Sequence, residues 1–353
     1  MKTILVTGGT GFIGSHVCLS LIYSNYRVVI ADSNVNSSEL SLKSLKQIFE
    51  KNDFRNYEID FKKGDIRDEK FLKNLFEKED ENNHPIEGVI HLAGLKSVEE
   101  STRDPLVYWD NNVCGTLNLL KIMQLFDCKN IVFSSSATIY GNTKINPIKE
   151  SFEINPLNPY GHTKASVEYI LENIFQSAKN EWRIANLRYF NPIGAHESGL
   201  IGEDPINIPN NLFPYICLVA SGKYDRLNIY GNDWPTPDGT GIRDYIHVMD
   251  LADAHISALN YLLNNNSQIL NLNIGTGIGT SVLELVETFQ VVNKIKIPYQ
   301  FCKRRTGDVP ILIADNKVAS SLLQWKPKRD IKQMSRDGWQ WCLLNPNGFK
   351  SIQ

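Results

Sequence analysis

The segment VTGGTGFIGSH (6–16) joins a short β-branched run, TILVT, to a stretch with the length and apolar content of a helix. Its glycines at 8, 11 and 14 follow a GxxGxxG spacing. Without side chains the backbone can turn sharply and approach a pyrophosphate, while the helix N-terminus faces the phosphate charge. The pattern is informative because of its place, directly after a strand and before a helix. The next β-branched run ends in IADSN, and its Asp32 lies 18 residues past Gly14, about the spacing of a carboxylate that bonds a ribose 2′-hydroxyl. A 2′-phosphate would be repelled there and no arginine follows directly, so the expected cofactor is NAD rather than NADP. Asp65 in GDIRD (64–68) reads either as a contact to adenine or as the cap of a turn.

Outward from this loop, short apolar runs alternate with longer amphipathic ones. Strands are expected at 3–8, 27–32, 56–61, 88–94 and 130–136, with helices at 12–25, 38–51, 68–78, 104–126 and 160–179. Further strands are expected at 183–190 and 269–275. The alternation predicts an α/β fold: a Rossmann-like, doubly wound parallel sheet with helices on both faces. EKEDENNHP (77–85) reads as a solvated linker. Beyond Asn191, GEDPINIPNNLFPYI (202–216) and YGNDWPTPDGTGIRDYIHV (230–248) are rich in Pro, Gly and Asn and read as loops. The expected division is a nucleotide-binding domain over 1–190, with 243–275 returning to it, and a smaller C-terminal α/β substrate-binding cap over 191–353.

Composition excludes several classes. The 353 residues carry a formal net charge of −2, so no excess of cations is available for a nucleic-acid backbone or an anionic membrane. No apolar run approaches the roughly 20 residues of a membrane helix. A first strand opening at Lys2 leaves no room for a signal peptide. Six cysteines without a CxxC pair fit reduced thiols, and neither they nor the seven dispersed histidines show metal-ligand spacing. The expectation is a cytoplasmic protein.

Chemistry concentrates in NPYGHTKASVEYIL (158–171). Tyr160 and Lys164, four residues apart on a helix, project from one face. A base useful near pH 7 needs its phenol lowered by about three units, or about 4 kcal/mol. One cation at about 4 Å supplies about that much at an effective dielectric of about 20. An oxidised nicotinamide would add a second positive charge. FSSSATIYG (133–141) lies past the fifth strand, at the sheet edge where ligands bind, and offers hydroxyls to a reacting oxygen. His162, at i+2, does not face Tyr160 and is given no catalytic role.

Together with HLAGLKSVEES, DNNVCGTLNLL, LRYFNPIGAH, DGTGIRDYIHVMDLADAH and RRTGDVP, these segments make the chain resemble the extended short-chain dehydrogenase/reductase family almost end to end, and within it the UDP-hexose 4-epimerases. The resemblance implies reversible hydride transfer at sugar C4 through a 4-keto intermediate with tightly bound NAD, interconverting UDP-glucose and UDP-galactose. By the same resemblance Tyr160 is the base, Lys164 lowers its pKa and bonds the nicotinamide ribose, and Ser136 holds the sugar oxygen with Thr138 nearby. Gly8, Gly11, Phe12, Ile13, Gly14, Asp32, Asp65, Ile66, Leu92, Ala93, Gly94, Lys96, Asn111, Ser134, Tyr160, Lys164 and Tyr189 are the implied cofactor contacts. Lys96, Ser136, Thr138, Tyr160, Asn191, Asn211, Leu212, Arg243, Arg305, Asp308 and Leu312 are the implied substrate contacts, with the two arginines on the diphosphate and Asp308 on the uridine ribose. Read without the resemblance, Arg243–Asp244 is a surface ion pair, Asn191 a turn residue and Asp308 a loop cap. By the same resemblance Leu312 occupies the position that gates the sugar pocket in the family, where a tyrosine restricts entry and a small residue admits N-acetylated sugars. The helices 104–126 and 160–179, with stripes Leu117, Leu120, Met123 and Ile170, Ile174, are the implied homodimer face. Sugar-nucleotide 4,6-dehydratases place Asp and Glu where this chain has Ala137 and Thr138. A UDP-N-acetylglucosamine or uronate 4-epimerase, or a silent NAD-binding sensor, are the other readings.

Overall fold

Every residue of β1 (Thr3–Thr7) is buried, which marks it as a central strand of a sheet covered on both faces. The computed structural model describes all residues except 55, 144, 179, 180, 207, 208, 210, 306, 307, 352 and 353. Around β1 lie β2 (Arg27–Asp32), β3 (Ile59–Lys63), β4 (Ile86–His91), β5 (Asn130–Ser136), β6 (Arg183–Tyr189), then β7 (Asn191–Ile193), β8 (Leu227–Tyr230), β9 (Ile242–His247), β10 (Gln268–Ile274), β11 (Gly279–Ser281), β12 (Tyr299–Cys302) and β13 (Ile311–Leu312). Among the described residues, seven strands form one parallel sheet in the order β10-β6-β5-β4-β1-β2-β3. The order reverses between β1 and β4, and a crevice opens at the carboxyl ends of strands at such a point.

The helices are α1 (Phe12–Tyr23), α2 (Leu40–Lys51), α3 (Glu69–Glu81), α4 (Val98–Arg103), α5 (Pro105–Trp109), α6 (Gly115–Leu125), α7 (Pro159–Ser177), α8 (Leu212–Ala220), α9 (Val248–Asn264), α10 (Val282–Asn293), α11 (Lys317–Leu322) and α12 (Ile331–Leu344). One face of the large sheet packs on α1, α2 and α9 through Val17, Leu21, Ile48, Phe49, Leu251 and Leu259. The other packs on α3, α6 and α7 through Leu72, Phe76, Leu119, Met123, Val167 and Leu171. Helix α1 is apolar around most of its circumference because α9 covers the side that the sheet leaves free. A second core, around Phe213, Ile216, Phe289, Met334 and Trp339, lies under β8, α8, α10 and α12. Strands β7, β11 and β13 all pair with β9, and β8 pairs with β12.

Several elements differ from expectation. The third strand runs over Ile59–Lys63, three residues later than its predicted start. Helix α3 continues through Glu81, so much of the predicted linker is helical, and Glu79 is buried in an ion pair with Arg27. The single helix expected at 104–126 is α5, a π-helical turn (Asp110–Cys114) and α6. Leu212–Ala220 is helical and Ile242–His247 is a strand, where loops were expected. The predicted helix 160–179 ends at Ser177, and residue 179 lies outside the described residues. Strand β10 joins the large sheet whereas β9 belongs to the smaller one. The stripe residues Leu120 and Met123 are buried in this chain's own core, and Ile170 and Ile174 pack against it. The six cysteines are free thiols, and among the described residues no helix is long and apolar enough to cross a membrane.

Candidate active site

The glycine loop folds onto the sheet edge. Gly8 has φ +73°, and a Cβ there would lie 2.7 Å from the Ala93 nitrogen. A Cβ at Gly14 would lie 2.1 Å from the Gly8 carbonyl oxygen, so α1 can pack this close only without a side chain. At Gly11, the N-cap of α1, a Cβ would meet little beyond the Gly8 oxygen at 3.4 Å. That cap makes no side-chain hydrogen bond and the first turn, with Phe12 and Ile13, holds no acid, which leaves backbone N–H groups for an anion. Asp32, at the end of β2, is buried and accepts from Thr10 N at 3.0 Å, Asn34 N at 2.9 Å and the Ser37 hydroxyl at 2.9 Å. These features fit a dinucleotide. Asp65 accepts from Arg67 N at 2.8 Å and is ion-paired with the Arg67 guanidinium, which holds its carboxyl below the usual range; this is the turn-cap geometry. Ile66 beside it is buried.

Leu92, Ala93 and Gly94 leave β4 against the glycine loop, with Leu92 N bonded to Thr7 O. Lys96 pairs with Glu203 at 2.9 Å. Asn111 is half-buried in the π-helical turn, but the wired residue is its neighbour. Buried Asn112 accepts from Leu95 N at 2.8 Å and donates to Leu95 O at 3.0 Å and to Thr163 Oγ1 at 3.1 Å. Sequence reasoning passed over Asn112; the doubled asparagine in DNNV was the available signal.

Helix α7 starts with Asn158, whose side chain accepts from Gly161 N, and with Pro159 in its first turn. Tyr160 and Lys164 then face β5. Lys164 Nζ lies 5.9 Å from the Tyr160 ring centroid and 4.9 Å from that of Phe133. It donates to Ser134 O at 2.6 Å and Ser134 Oγ at 3.1 Å. Burial brings the ammonium down to about 7, against which Glu168 one turn on acts to raise it. Burial pushes the Tyr160 phenol up to about 12, opposed by a hydrogen bond with Ser136. The protein's own groups therefore leave the phenol protonated at neutral pH, and a further positive charge is needed to lower it. Ser136 ends β5, and its hydroxyl also bonds Thr138 N at 3.2 Å and Thr138 Oγ1 at 3.0 Å. Buried Tyr189 ends β6. His162 is exposed.

On the smaller sheet, Arg243 of β9 bonds Asp308 at 3.1 Å, and its register partner on β13 is Leu312. Arg305 stacks on the Tyr230 ring at 3.9 Å. Asn191 opens β7; Asn211 is the N-cap of α8, with Leu212 its first residue. Asp244 is not in a surface ion pair with Arg243: it is fully buried and accepts from Thr276 N, Gly277 N and Ala314 N. Leu312 packs against the cluster of Ala137, Ile139, Tyr140 and Ala165, beside the serine segment.

The chain matches the GDP-mannose 4,6 dehydratase family model over residues 5–338. It is 47% identical over 350 residues to UDP-glucose 4-epimerase of Bacillus subtilis (strain 168), covering 99% of each chain. It is 49% identical to the enzyme of that name from Neisseria meningitidis serogroup C, again over 99% of each. The crystal structure of UDP-glucose 4-epimerase from Bifidobacterium longum in complex with NAD+ and UDP superposes with a TM-score of 0.91 at 42% identity, over 98% of this chain and all of that one. The chain belongs to the UDP-glucose 4-epimerase family. The name of the matching family model points to a wider relationship, since Ala137 and Thr138 put no carboxylic acid after Ser136 to expel water. Membership in the 4-epimerase family agrees with the serine, tyrosine and lysine gathered at the carboxyl edge of the sheet.

Proposed function

We propose that this protein interconverts UDP-glucose and UDP-galactose by inverting C4, with NAD held across the β1–β4 crevice. The observation that carries this reading is the Ser136–Tyr160–Lys164 group, at the edge of a sheet whose first loop fits a dinucleotide. When bound, NAD accepts the C4 hydride, returns it to the other face of the 4-keto sugar, and brings a positive nicotinamide near the phenol. The chain's residues do the rest. Tyr160, as phenolate, takes the proton of the sugar 4-hydroxyl and later gives it back. Ser136 holds the same oxygen, with Thr138 fixing its hydroxyl. Lys164 lowers the phenol and bonds the ribose. Gly8, Gly11, Phe12, Ile13 and Gly14 receive the pyrophosphate, Asp32 the adenosine ribose, Ile66, in the turn that Asp65 caps, the adenine, and Leu92 to Gly94, Lys96, Asn111, Ser134 and Tyr189 the nicotinamide half. A sugar that must rotate between two hydride transfers has to be tethered through its UDP. Arg243 and Arg305 suit the diphosphate because a guanidinium presents paired donors, while Asp308, Asn191, Asn211 and Leu212 complete the uridine side.

We read the large sheet as the NAD-binding domain and the smaller sheets as the UDP-sugar cap. The chain is read as a homodimer, and exposed Leu106, Val107 and Trp109 on α5 and Tyr169 on α7 support that face. Six free thiols support a reducing, cytoplasmic setting. Proton NMR of UDP-galactose with the purified protein and no added cofactor tests the activity. UDP-glucose should appear, and Tyr160→Phe should slow turnover at least about a hundredfold while bound NAD, released by denaturation, stays stoichiometric. No conversion even with NAD supplied, or full activity in Tyr160→Phe, overturns the reading.

A further inference from the structure

Strand β13 is only two residues long, Ile311 and Leu312, and its edges are held by different means. On one edge it runs parallel to β9, with Ile311 opposite Ile242 and Leu312 opposite Arg243, and Ile242 N donates to Pro310 O at 2.8 Å. Residues of a strand present their backbone groups to alternate edges, so Leu312 serves β9 while Ile311 and Ile313 face the other way. There the partner is a side chain. The Asn146 carboxamide accepts from Ile313 N at 3.0 Å and donates to Ile311 O at 3.3 Å. A carboxamide offers the same donor and acceptor as a peptide group, so Asn146 spans the backbone on both sides of Leu312 as a strand neighbour would. Beyond it the pairing passes to the main chain: Ile148 N donates to Ile313 O at 2.7 Å and Asp315 N to Ile148 O at 2.8 Å. Ile148 is fully buried in the cluster of Ala137, Ile139 and Tyr140 on which Leu312 packs.

We propose that Asn146 is a positioning residue for Leu312, clamping the backbone on either side of it so that the leucine side chain stands as a fixed wall against the hexose. This rests on the roles of Ser136 and Arg243 given above. Leu312 joins those two parts of the site: its backbone lies beside Arg243, and its side chain packs on the segment that follows Ser136. A wall in that place bounds the sugar between the diphosphate and the reacting C4. Two residues paired with β9 fix a strand weakly, so the outer edge decides how firmly Leu312 is held. Without the carboxamide, pairing on that edge among the described residues begins only at Ile313 O, past Leu312. Asn146 acts through the strand and is placed among neither the cofactor contacts nor the substrate contacts.

The test compares wild-type holoenzyme with Asn146→Leu, which keeps the side-chain volume and makes neither bond. Three quantities are measured: kcat and KM for UDP-galactose, the inhibition constant of UDP-N-acetylgalactosamine, and that of UDP, which has no hexose to meet the wall. A looser wall should raise KM for UDP-galactose about fivefold, the effect of about one hydrogen bond, with kcat within about twofold. UDP should inhibit as in wild type. The bulkier sugar should gain, its inhibition constant falling about fivefold relative to KM for UDP-galactose. In a Leu312→Ala background, Asn146→Leu should leave this ratio unmoved, because no wall remains to be placed. An unchanged ratio in Asn146→Leu, an equal weakening of UDP, or the same change of ratio in the Leu312→Ala background overturns the proposal. If Asn146→Leu does not fold, Asn146→Asp keeps the shape and the acceptor alone, and an unshifted ratio there overturns it equally. An active wild type with an unshifted Asn146→Leu defeats the role of Asn146 alone, whereas a wild type that does not epimerise UDP-galactose defeats the reading on which it rests.

Discussion

Leu312 shows how one side chain can bear on two parts of the site. Its backbone pairs with Arg243 across β9 and β13, and its side chain packs on the cluster that carries Ala137, Ile139 and Tyr140. A change there reaches the proposed sugar end of the site without altering the Arg243 guanidinium. A leucine leaves more room than a tyrosine, and we infer that the pocket admits a 2-acetamido group. Leu312→Tyr should then lower turnover of UDP-N-acetylgalactosamine at least about tenfold, since overpacking costs about 1–3 kcal/mol, and leave UDP-galactose nearly unchanged. Steady-state rates for both sugars decide it, and equal effects on the two would refute the gating role. At this scale the sequence was most informative. Gly8 and Gly14 belong to one loop and the helix start that follows it, and Tyr160 and Lys164 lie one helical turn apart, while Asp32 and Ser136 each end a strand of the same parallel sheet. The alternation of a strand also puts Arg243 and Asp244 on opposite faces. That rule argues against an ion pair between them, and it accounts for one pointing to Asp308 and the other lying buried.

At the scale of elements, the π-helical turn at Asp110–Cys114 is the departure with most consequence. One extra residue in a helix rotates everything beyond it, and such turns concentrate at functional sites. Here the turn carries Asn112, which holds the loop after β4 to α7 through Leu95 and Thr163. Asn112→Ala removes the acceptor of the half-buried Leu95 N–H, which should cost about 0.5–1.5 kcal/mol of stability. Because that loop is the proposed wall of the nicotinamide site, the variant should also lose NAD faster on gel filtration, with KM for UDP-galactose unchanged. Thermal melting and the absorbance of retained cofactor measure both effects, and a variant as stable and as NAD-retentive as wild type would remove Asn112 from the site. The turn was not legible in DNNVC, since no glycine or proline lies within it and the register shift is fixed by partners distant in sequence. Helix α8 was missed for a different reason. Pro214 reads as a breaker, but it stands in the first turn, where the helix lacks N–H partners anyway. The end of α3 was missed because Glu79 looks solvated until Arg27, on a neighbouring strand, is seen to bury it.

For the whole molecule, burial of neutral histidines couples folding to pH. His16 and His91 are brought down to about 3, and His255 to about 4, each chiefly by burial. They lie in α1, β4 and α9, so the coupling runs through the large sheet and both its faces. Unfolded, each titrates near 6.5 and binds a proton that the folded chain excludes. The sign follows: stability is complete above about 6.5 and falls as pH drops toward 3 to 4. Lys164, lowered from 10.5 to about 7, acts in the same direction over that higher window. The carboxyls of buried Asp244 and half-buried Glu150, Asp204 and Asp253 are raised by desolvation and act oppositely, so the total slope mixes signs. A difference between variants isolates the histidine part. His91 sits between the hydroxyls of Thr7 and Thr116, at 2.7 and 2.8 Å, and glutamine can bond both without titrating. Urea unfolding at pH 7 and pH 5 should show wild type losing about 1–2 kcal/mol more than His91→Gln between the two, since one pKa unit corresponds to about 1.4 kcal/mol and most of the interval lies below 6.5. Equal losses in the two proteins would mean that His91 takes up its proton without unfolding, and that the Thr7–His91–Thr116 bridge opens to water in the native state.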